Sequence, residues 1–375
     1  GVLDSSAGRS AATAGVTSTG RGCSASDAFG GLDVLVANSG RLVPTATMCP
    51  RWGAGRPPAT GRPRSRKPST RSAERDRRCP SIRSTPIEAI SEVSHHVAVP
   101  GQGIDENLRF IGKCRDSGDD QLVAMFGLHA LMTLGDETLA RCAEIAAAED
   151  IGFHVHAAED AADVILAKER HGKRILERFA SAGILGPQSI VVHGVHLDSD
   201  EIALLRDTDS MLVNCPESNL NNAVGTAPVL DMLADGVLVG LGTDGMSSHM
   251  ISQARAMYLQ QRGDRRDPTI GFVEACDALL RNNREICDRL FRDVRGTLES
   301  GQLADVVIYD YVAPTPMTAD TLYGHLLFGL SYARVQTTIA RGEVIVDDGQ
   351  LVHLDEAEIR AHCRERAPAI WQRAS

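Results

Sequence analysis

The stretch Phe153-His154-Val155-His156-Ala157-Ala158-Glu159 has two histidines at alternate positions, and a carboxylate follows three residues after the second. Successive side chains in a β-strand point to opposite faces, so His154 and His156 would share one face. The apolar residues around them predict a buried strand, with Glu159 just beyond its carboxyl end. This stretch therefore predicts a strand that ends in a group of polar side chains.

Two later stretches repeat this arrangement of a short apolar strand that ends in polar residues. One is Val192-His193-Gly194-Val195-His196, and the other is Gly240-Leu241-Gly242-Thr243-Asp244-Gly245. The carboxyl ends of parallel strands meet at one face of a (β/α) barrel, where such folds keep their catalytic residues. Each stretch alone is compatible with a core histidine or an ordinary turn. Three in succession favour the catalytic site of a metal-dependent hydrolase.

The rest of the chain from about residue 103 alternates between strand and helix patterns. We predict strands near residues 122–129, 151–156, 189–193, 210–213 and 237–242. We predict helices near residues 161–182, 227–234, 251–262 and 272–291, and others that begin at residues 136 and 199. Repeated strand–helix units with short loops are typical of a parallel α/β architecture. After residue 296 the pattern changes to short alternating strands, and a last helix is predicted from residue 355 to about 373.

Composition excludes several classes of function. The 375 residues carry a net charge of −10 and are 43% hydrophobic, which argues against nucleic acid as a partner. No apolar run approaches the roughly 18–20 residues that would span a bilayer, so no membrane partner is expected. The nine cysteines include no C-x-x-C pair. This favours reduced thiols and a cytoplasmic location.

Residues 1–100 form an anomalous segment rich in Arg, Pro, Ser and Gly. No helical or strand periodicity survives in residues 51–83, where prolines exclude helix interiors and central strands. A disordered basic tail is one interpretation of this composition. We favour another, an irregular segment translated from out-of-frame or misjoined GC-rich DNA, whose codons yield these residues.

The motifs after residue 103 resemble those of the amidohydrolase superfamily, in its metal-dependent deaminase and chlorohydrolase branch. They are Gly127-Leu-His129-Ala, His154-Val-His156-Ala-Ala-Glu159, Val192-His193-Gly-Val-His196, Asn214-Cys-Pro-Glu-Ser-Asn219, Gly242-Thr-Asp244-Gly-Met246 and Leu298-Glu-Ser-Gly-Gln-Leu-Ala-Asp305. Leu322-Tyr-Gly-His-Leu-Leu-Phe-Gly329 resembles the SsnA-type aminohydrolases in particular. The resemblance implies an α/β fold with a (β/α)8 TIM-type barrel, here partial, at residues 101–295. It also implies part of a small β-sandwich at 296–352 and a C-terminal helix at 353–375.

The same resemblance implies a role for each motif residue. His156 and Asp244 would bind one divalent metal ion, zinc or iron. Asp244 would also help to deprotonate the attacking water, Glu159 would carry the proton, and His193 would polarise the substrate or the hydroxide. Independently of the family, a divalent metal lowers the pKa of water to roughly 7, and a carboxylate that moves protons lets ammonia leave.

His129 and Asn219 would contact the substrate, a small heterocyclic amine of purine or pterin type that undergoes hydrolytic deamination. Dechlorination of a triazine-like ring and hydrolysis of a cyclic amide are alternatives within the same superfamily. Relatives of this kind are often homo-oligomers.

The sequence also departs from the family pattern. The family opens its barrel with His-x-His on the first strand, and no such motif occurs before His154. His95, His96 and Cys79 are the remaining candidates for extra ligands. Asn214 stands where relatives have His. We therefore expect the first strands to be missing or distorted and to leave sheet edges exposed. A catalytically impaired fragment without the first-strand ligands is the alternative to an active aminohydrolase.

Overall fold

The computed structural model describes residues 34–35, 81–84, 100–118, 122–130, 133–291, 298 and 300–374. The segment 1–100, interpreted above as irregular, falls almost wholly outside the described residues, as do Cys79, His95 and His96. The predicted domain boundaries stay predictions. Within the described part of the chain, no helix has the length and hydropathy needed to cross a membrane.

The described residues form strands and helices in alternation. The strands are β1 (Val34–Leu35), β2 (Ser81–Ser84), β3 (Leu122–Leu128), β4 (Phe153–Ala157), β5 (Ile190–His193), β6 (Met211–Asn214), β7 (Val239–Leu241), β8 (Val306–Asp310), β9 (Arg334–Ala340), β10 (Glu343–Asp347) and β11 (Gln350–Leu351). The helices are α1 (Pro100–Asp116), α2 (Asp136–Glu149), α3 (Ala161–His171), α4 (Ile175–Ala182), α5 (Ser199–Asp207), α6 (Pro216–Asn221), α7 (Val229–Ala234), α8 (Met250–Arg265), α9 (Phe272–Asp277), α10 (Asn283–Leu290), α11 (Leu322–Phe328) and α12 (Glu356–Ala374). A π-helical turn, Ala278–Asn282, joins α9 to α10, and a 3₁₀ turn, Leu330–Tyr332, follows α11.

Strands β2 to β7 form one six-stranded sheet whose spatial order is the order along the chain. Every neighbouring pair in it is parallel. Parallel neighbours need crossover connections, and from β3 onward helices supply them, as in a barrel of strand–helix units. The predicted parallel α/β architecture is confirmed. The six strands of the described part are fewer than the eight of a complete barrel.

One predicted helix is in fact two. The stretch predicted as helical over 161–182 is divided between α3 and α4, because Gly172 ends α3 in a left-handed conformation, with φ +66°. Asp160 begins α3, since its carboxylate accepts a hydrogen bond from the backbone of Ala162 at 2.8 Å.

The two faces of the parallel sheet pack against different residues. Phe153, Val155 and Ala157 of β4 point outward into the main hydrophobic cluster, which the surrounding helices share. The alternate residues of the sheet point inward. A second cluster there joins Ile190 and Val192 of β5 to Ile286 and Cys287 of α10 and to Phe291, which directly follows that helix, among others. Helix α10 therefore covers the inner face of the sheet, the face that also carries the β4 histidines.

Polar side chains cover the outer edge of β7, where the sequence led us to expect an exposed strand. The backbone of Leu238 and Gly242 bonds to β6, so the alternate Leu241 N–H and C=O point away from the sheet. Asn283 accepts from Leu241 N at 2.8 Å and donates to Leu241 O at 3.1 Å. Asn282 donates to Val239 O at 2.8 Å. The expectation of an exposed edge is wrong at β7, because the π turn and α10 place two consecutive amides there.

The C-terminal part forms a separate sheet of order β1-β8-β9-β10-β11, and all its pairs are antiparallel. Val34 and Leu35 pair with Ile308 and Val307, so a short strand from the N-terminal segment extends this sheet. Strands were predicted here from the short alternating pattern after residue 296. The sheet matches that pattern, and α12 follows it.

Candidate active site

The end of β4 holds the first group of candidate residues. All five residues of β4 are buried. The chain then turns at Ala158, whose φ of +52° lies in the left-handed region that costs a non-glycine residue about 1–3 kcal/mol. The backbone N–H of Glu159 donates to Asp163 Oδ2 at 3.1 Å and so ties the turn to the first turn of α3. A strained turn held in this way fixes the direction in which Glu159 leaves the strand.

The end of β5 is held in a similar manner. His193 itself has a φ of +73° and is 1% exposed. Its carbonyl oxygen accepts a hydrogen bond of 3.3 Å from Asn214 Nδ2, and the next residue, Gly194, donates to Ala157 O at 3.1 Å. Asn214, the residue that departs from the family pattern, therefore supports the backbone of His193 from the neighbouring strand.

Three of the predicted site residues converge on one another. Ligand atoms of His156, Glu159 and His193 all lie within 4.8 Å of each other. His193 Nε2 is 3.4 Å from Glu159 Oε2, and the rings of His156 and His193 meet edge to face with centroids 5.2 Å apart. Two nitrogen donors and one oxygen donor at such spacing form a set that zinc accepts in proteins.

The two ring nitrogens of His193 have different neighbours. Nδ1 is 3.0 Å from Asn219 Oδ1, and Nε2 is 3.4 Å from Glu159 Oε2. When Nδ1 donates to Asn219, the lone pair of Nε2 faces the Glu159 carboxylate. A proton or a cation between them satisfies both groups. This donor pair, completed by His156, fits a divalent metal ion.

His129 lies beside this cluster. Its ring centroid is 6.3 Å from that of His156, and its Nδ1 is 3.0 Å from the hydroxyl of Thr133. That hydroxyl donates to Ala130 O at 2.7 Å, so it can only accept from His129 Nδ1–H. Burial lowers the pKa of His129, although the nearby Glu159 opposes the shift. His129 is therefore a neutral imidazole with a free acceptor at Nε2.

Among the described residues, Asp244 is not a member of the cluster formed by His156, Glu159 and His193. Its φ is +50°, and its Oδ2 accepts a hydrogen bond of 2.5 Å from the hydroxyl of Ser218. The carboxylate interacts electrostatically with His154. The metal pair implied by the resemblance, His156 with Asp244, stays a prediction.

Burial sets the protonation state of the β4 histidines. It lowers the pKa of His154 to about 4, with a further decrease from His193 and an opposing effect of Asp244. Burial, with smaller contributions from His193, His154 and His129, holds the pKa of His156 well below its usual range. Nε2 of His154 is buried and has no hydrogen-bond partner. Neutral imidazoles with free nitrogens are suited to bind a metal ion.

The short helix α6 supplies contacts that the sequence patterns did not indicate. Ser218 reaches Asp244, Asn219 reaches His193, and Asn222 at its C-terminus donates to Glu159 Oε1 at 3.2 Å. Asn219 was predicted to bind substrate, a role that stays a prediction. Ser218 and Asn222 were missed, although Ser218 lies within the motif that begins at Asn214.

Comparison with known proteins identifies the family. The family model "Amidohydrolase family" matches residues 102–345. A 5-methylthioadenosine/S-adenosylhomocysteine deaminase of Moorella thermoacetica is 32% identical over 267 residues, which cover 70% of this chain and 62% of the relative. A 5'-deoxyadenosine deaminase of Methanosarcina mazei is 29% identical over 276 residues, which cover 72% and 63%. The chain thus spans less than two thirds of the length of these curated relatives.

Solved structures share the fold. An adenosine deaminase from Xanthomonas campestris with bound zinc has a TM-score of 0.66 and 22% identity, covering 78% of this chain and 66% of that one. An atrazine chlorohydrolase from Arthrobacter aurescens in complex with zinc and atraton has a TM-score of 0.65 and 18% identity, covering 76% and 65%. The TIM-type barrel fold expected from the sequence is therefore confirmed. Since the family model also spans more than half of its residues, the chain belongs to the amidohydrolase family.

Proposed function

We propose that this chain is a metal-dependent aminohydrolase that deaminates a purine-type heterocyclic amine by hydrolysis. The observation that carries the proposal is the convergence of His156, Glu159 and His193 at the carboxyl ends of adjacent parallel strands. The relatives named above as deaminases of methylthioadenosine, S-adenosylhomocysteine and 5'-deoxyadenosine support adenosine-like substrates.

Each residue of the site has its own role in the proposed reaction. Glu159 lies on the rim of the cluster, with its side chain 27% exposed, and can carry a proton from water to a ring nitrogen of the substrate. His193 faces the same space through Nε2, which would either polarise the substrate or the hydroxide or serve as a metal donor, but not both. Asp244 accepts a proton from the attacking water, and Ser218 holds the carboxylate oxygen that does not take part. His129 presents an acceptor to the substrate amine.

We propose His156 and His193, with Glu159 or Asp244, as the donors for one divalent metal ion. The bound metal would lower the pKa of a water molecule from about 16 to about 7 and so supply hydroxide at neutral pH. Zinc is our first choice, because a solved structure of similar fold contains zinc and the donor set suits it. Iron is the second.

A catalytically impaired amidohydrolase is the competing proposal. It is favoured by a specific observation: in the described part of the chain, the parallel sheet has six strands, and no first-strand histidine accompanies His156. The group of three donors meets the minimum for a catalytic zinc site only when Glu159 serves as a ligand. A Glu159 that binds the metal would no longer be free to move protons.

Ammonia release decides between the two proposals. The purified chain, loaded with one equivalent of zinc, is incubated with 5'-deoxyadenosine, methylthioadenosine and adenosine. Deamination that disappears in Glu159→Gln supports the aminohydrolase. Stoichiometric zinc without any ammonia supports the impaired enzyme. If the chain and its His156→Ala variant both retain far less than one equivalent of zinc, the proposed metal site itself is contradicted.

The other expectations about partners remain proposals. We propose a cytoplasmic location, because the nine cysteines include no C-x-x-C pair. Self-association and the exclusion of nucleic acids and membranes rest on the sequence alone.

A further inference from the structure

The two oxygens of the Glu159 carboxylate have different partners. Oε2 lies 3.4 Å from His193 Nε2, inside the cluster. Oε1 accepts a hydrogen bond of 3.2 Å from Nδ2 of Asn222, outside it. Because the backbone of Glu159 is held by Asp163, these two contacts define the rotation of the carboxylate. Asn222 is the contact that keeps Oε2 directed at His193.

The orientation of the Asn222 amide follows from its neighbour. Oδ1 of Asn222 accepts a hydrogen bond of 3.0 Å from Nδ2 of Asn221. A flipped amide would place its oxygen against the Glu159 carboxylate and its NH₂ against the NH₂ of Asn221, and both contacts would be repulsive. Asn222 is therefore a donor to Glu159, and its own oxygen accepts from Asn221.

The backbone of Asn222 is fixed as well. Asn222 ends helix α6, and its N–H donates to Ser218 O at 2.9 Å. The same turn of helix brings Ser218 to Asp244 and Asn219 to His193. The residue that contacts Glu159 thus lies at the end of the same short helix, α6, that contacts His193 and Asp244.

We propose that Asn222 is a positioning residue, which holds the Glu159 carboxylate so that one oxygen faces His193 and the substrate. The inference rests on the proposed function, in which Glu159 carries the proton. A proton carrier works only when its oxygen lies within hydrogen-bond reach of the atoms it serves. Loss of the Asn222 donor frees the carboxylate to rotate, because its own side chain is partly exposed.

Kinetics of Asn222→Asp and Asn222→Leu test the role in catalysis. Asp keeps the shape and turns the donor into a repelling anion, and Leu keeps the size without any donor. We expect kcat for deamination to fall about tenfold in both, with KM changed less than about twofold, since the substrate contacts are untouched. Leu220→Asp is the matched control, because it adds the same charge to an exposed position of the same helix. An unchanged kcat in the two Asn222 variants of an active parent overturns the proposal.

A stability cycle tests the contact without any need for activity. Asn222→Asp is expected to lower the urea midpoint of unfolding, and adding Glu159→Gln is expected to restore it, because the Gln amide then donates to the new carboxylate. The pair Leu220→Asp with Glu159→Gln should instead be additive. Additive effects of the Asn222 and Glu159 changes overturn the inference, even in an active enzyme. If the Asn222 and Glu159 changes are coupled but the chain releases no ammonia, the proposed function is wrong and the contact between the two residues stands.

Discussion

Asn283→Ala removes the amide that covers the outer edge of β7, and its cost can be worked out from the contacts. The side chain forms two hydrogen bonds with the backbone of Leu241, at 2.8 and 3.1 Å. Each such bond contributes about 0.5–1.5 kcal/mol net, so the loss amounts to about 1–3 kcal/mol. Leu241 is 1% exposed, so water does not readily replace the lost partners, and the upper half of this range is expected.

The assay is equilibrium unfolding in urea, followed by circular dichroism. Asn282→Ala removes the single bond to Val239 O and should cost about half as much. Asn221→Ala is the control, because it removes one bond between two exposed side chains and should stay within about 0.5 kcal/mol of the parent chain.

Asn283→Asp gives the sharper test. The carboxylate can still accept from Leu241 N, but it cannot donate to Leu241 O, and it faces that carbonyl oxygen instead. At pH 7 we expect a loss at least as large as that of the Ala variant, and near pH 4 a partial recovery, because the protonated acid donates again. An Asp variant as stable as the parent at pH 7 would mean that the amide only fills space, and the hydrogen-bond reasoning would be refuted.

Three further predictions concern the same fold. Gly240→Ala should cost about 1–3 kcal/mol in urea unfolding, because a Cβ there would clash with Asn283 Oδ1 and lie 2.5 Å from Ile286 Cδ1. A smaller penalty is expected in the Asn283→Ala background. Burial raises the pKa of the Cys142 thiol from 9.0 to about 12, so the unfolded chain loses this proton first and stability should fall as pH rises from 9 toward 12. Cys142→Ala should make the fall of the urea midpoint between pH 9 and pH 12 less steep, and Cys363→Ala should not. Equal slopes in the two variants would contradict this prediction. Zinc at one hundred times its dissociation constant should stabilise the chain by about 2.7 kcal/mol, an effect that chelation and His156→Ala both remove in thermal unfolding.

Local sequence periodicity predicted much of the site. The alternation in Phe153–Ala157 placed His154 and His156 on one face, and the structure has their ring centroids 6.1 Å apart on the inner side of the sheet. The end of β5 at His193 followed from the apolar run before it. Such predictions succeed because the face of a strand residue depends only on its position in the strand.

Contacts between distant residues could not be predicted in this way. Asn222 and Glu159 are 63 residues apart, and Ser218 and Asp244 are 26 apart. Helix α6 has six residues and begins at Pro216, so it is too short to show helical periodicity. The division of the predicted helix 161–182 was within reach, because Gly172 is a typical residue at a helix C-terminus.

Burial of the histidines affects their protonation and therefore their ability to bind a metal ion. Burial favours the neutral forms of His129, His154 and His156, because an imidazolium among apolar side chains loses its hydration. A carboxylate oxygen of Glu159 lies within 4.8 Å of ligand atoms of His156 and His193, so the site combines imidazole nitrogens with a carboxylate oxygen. A divalent cation bound there would offset the carboxylate charge and would be held by imidazole nitrogens that lack a proton. The apolar strands that gave the first sequence signal therefore also prepare His154 and His156 to bind a metal ion, since burial favours their neutral forms.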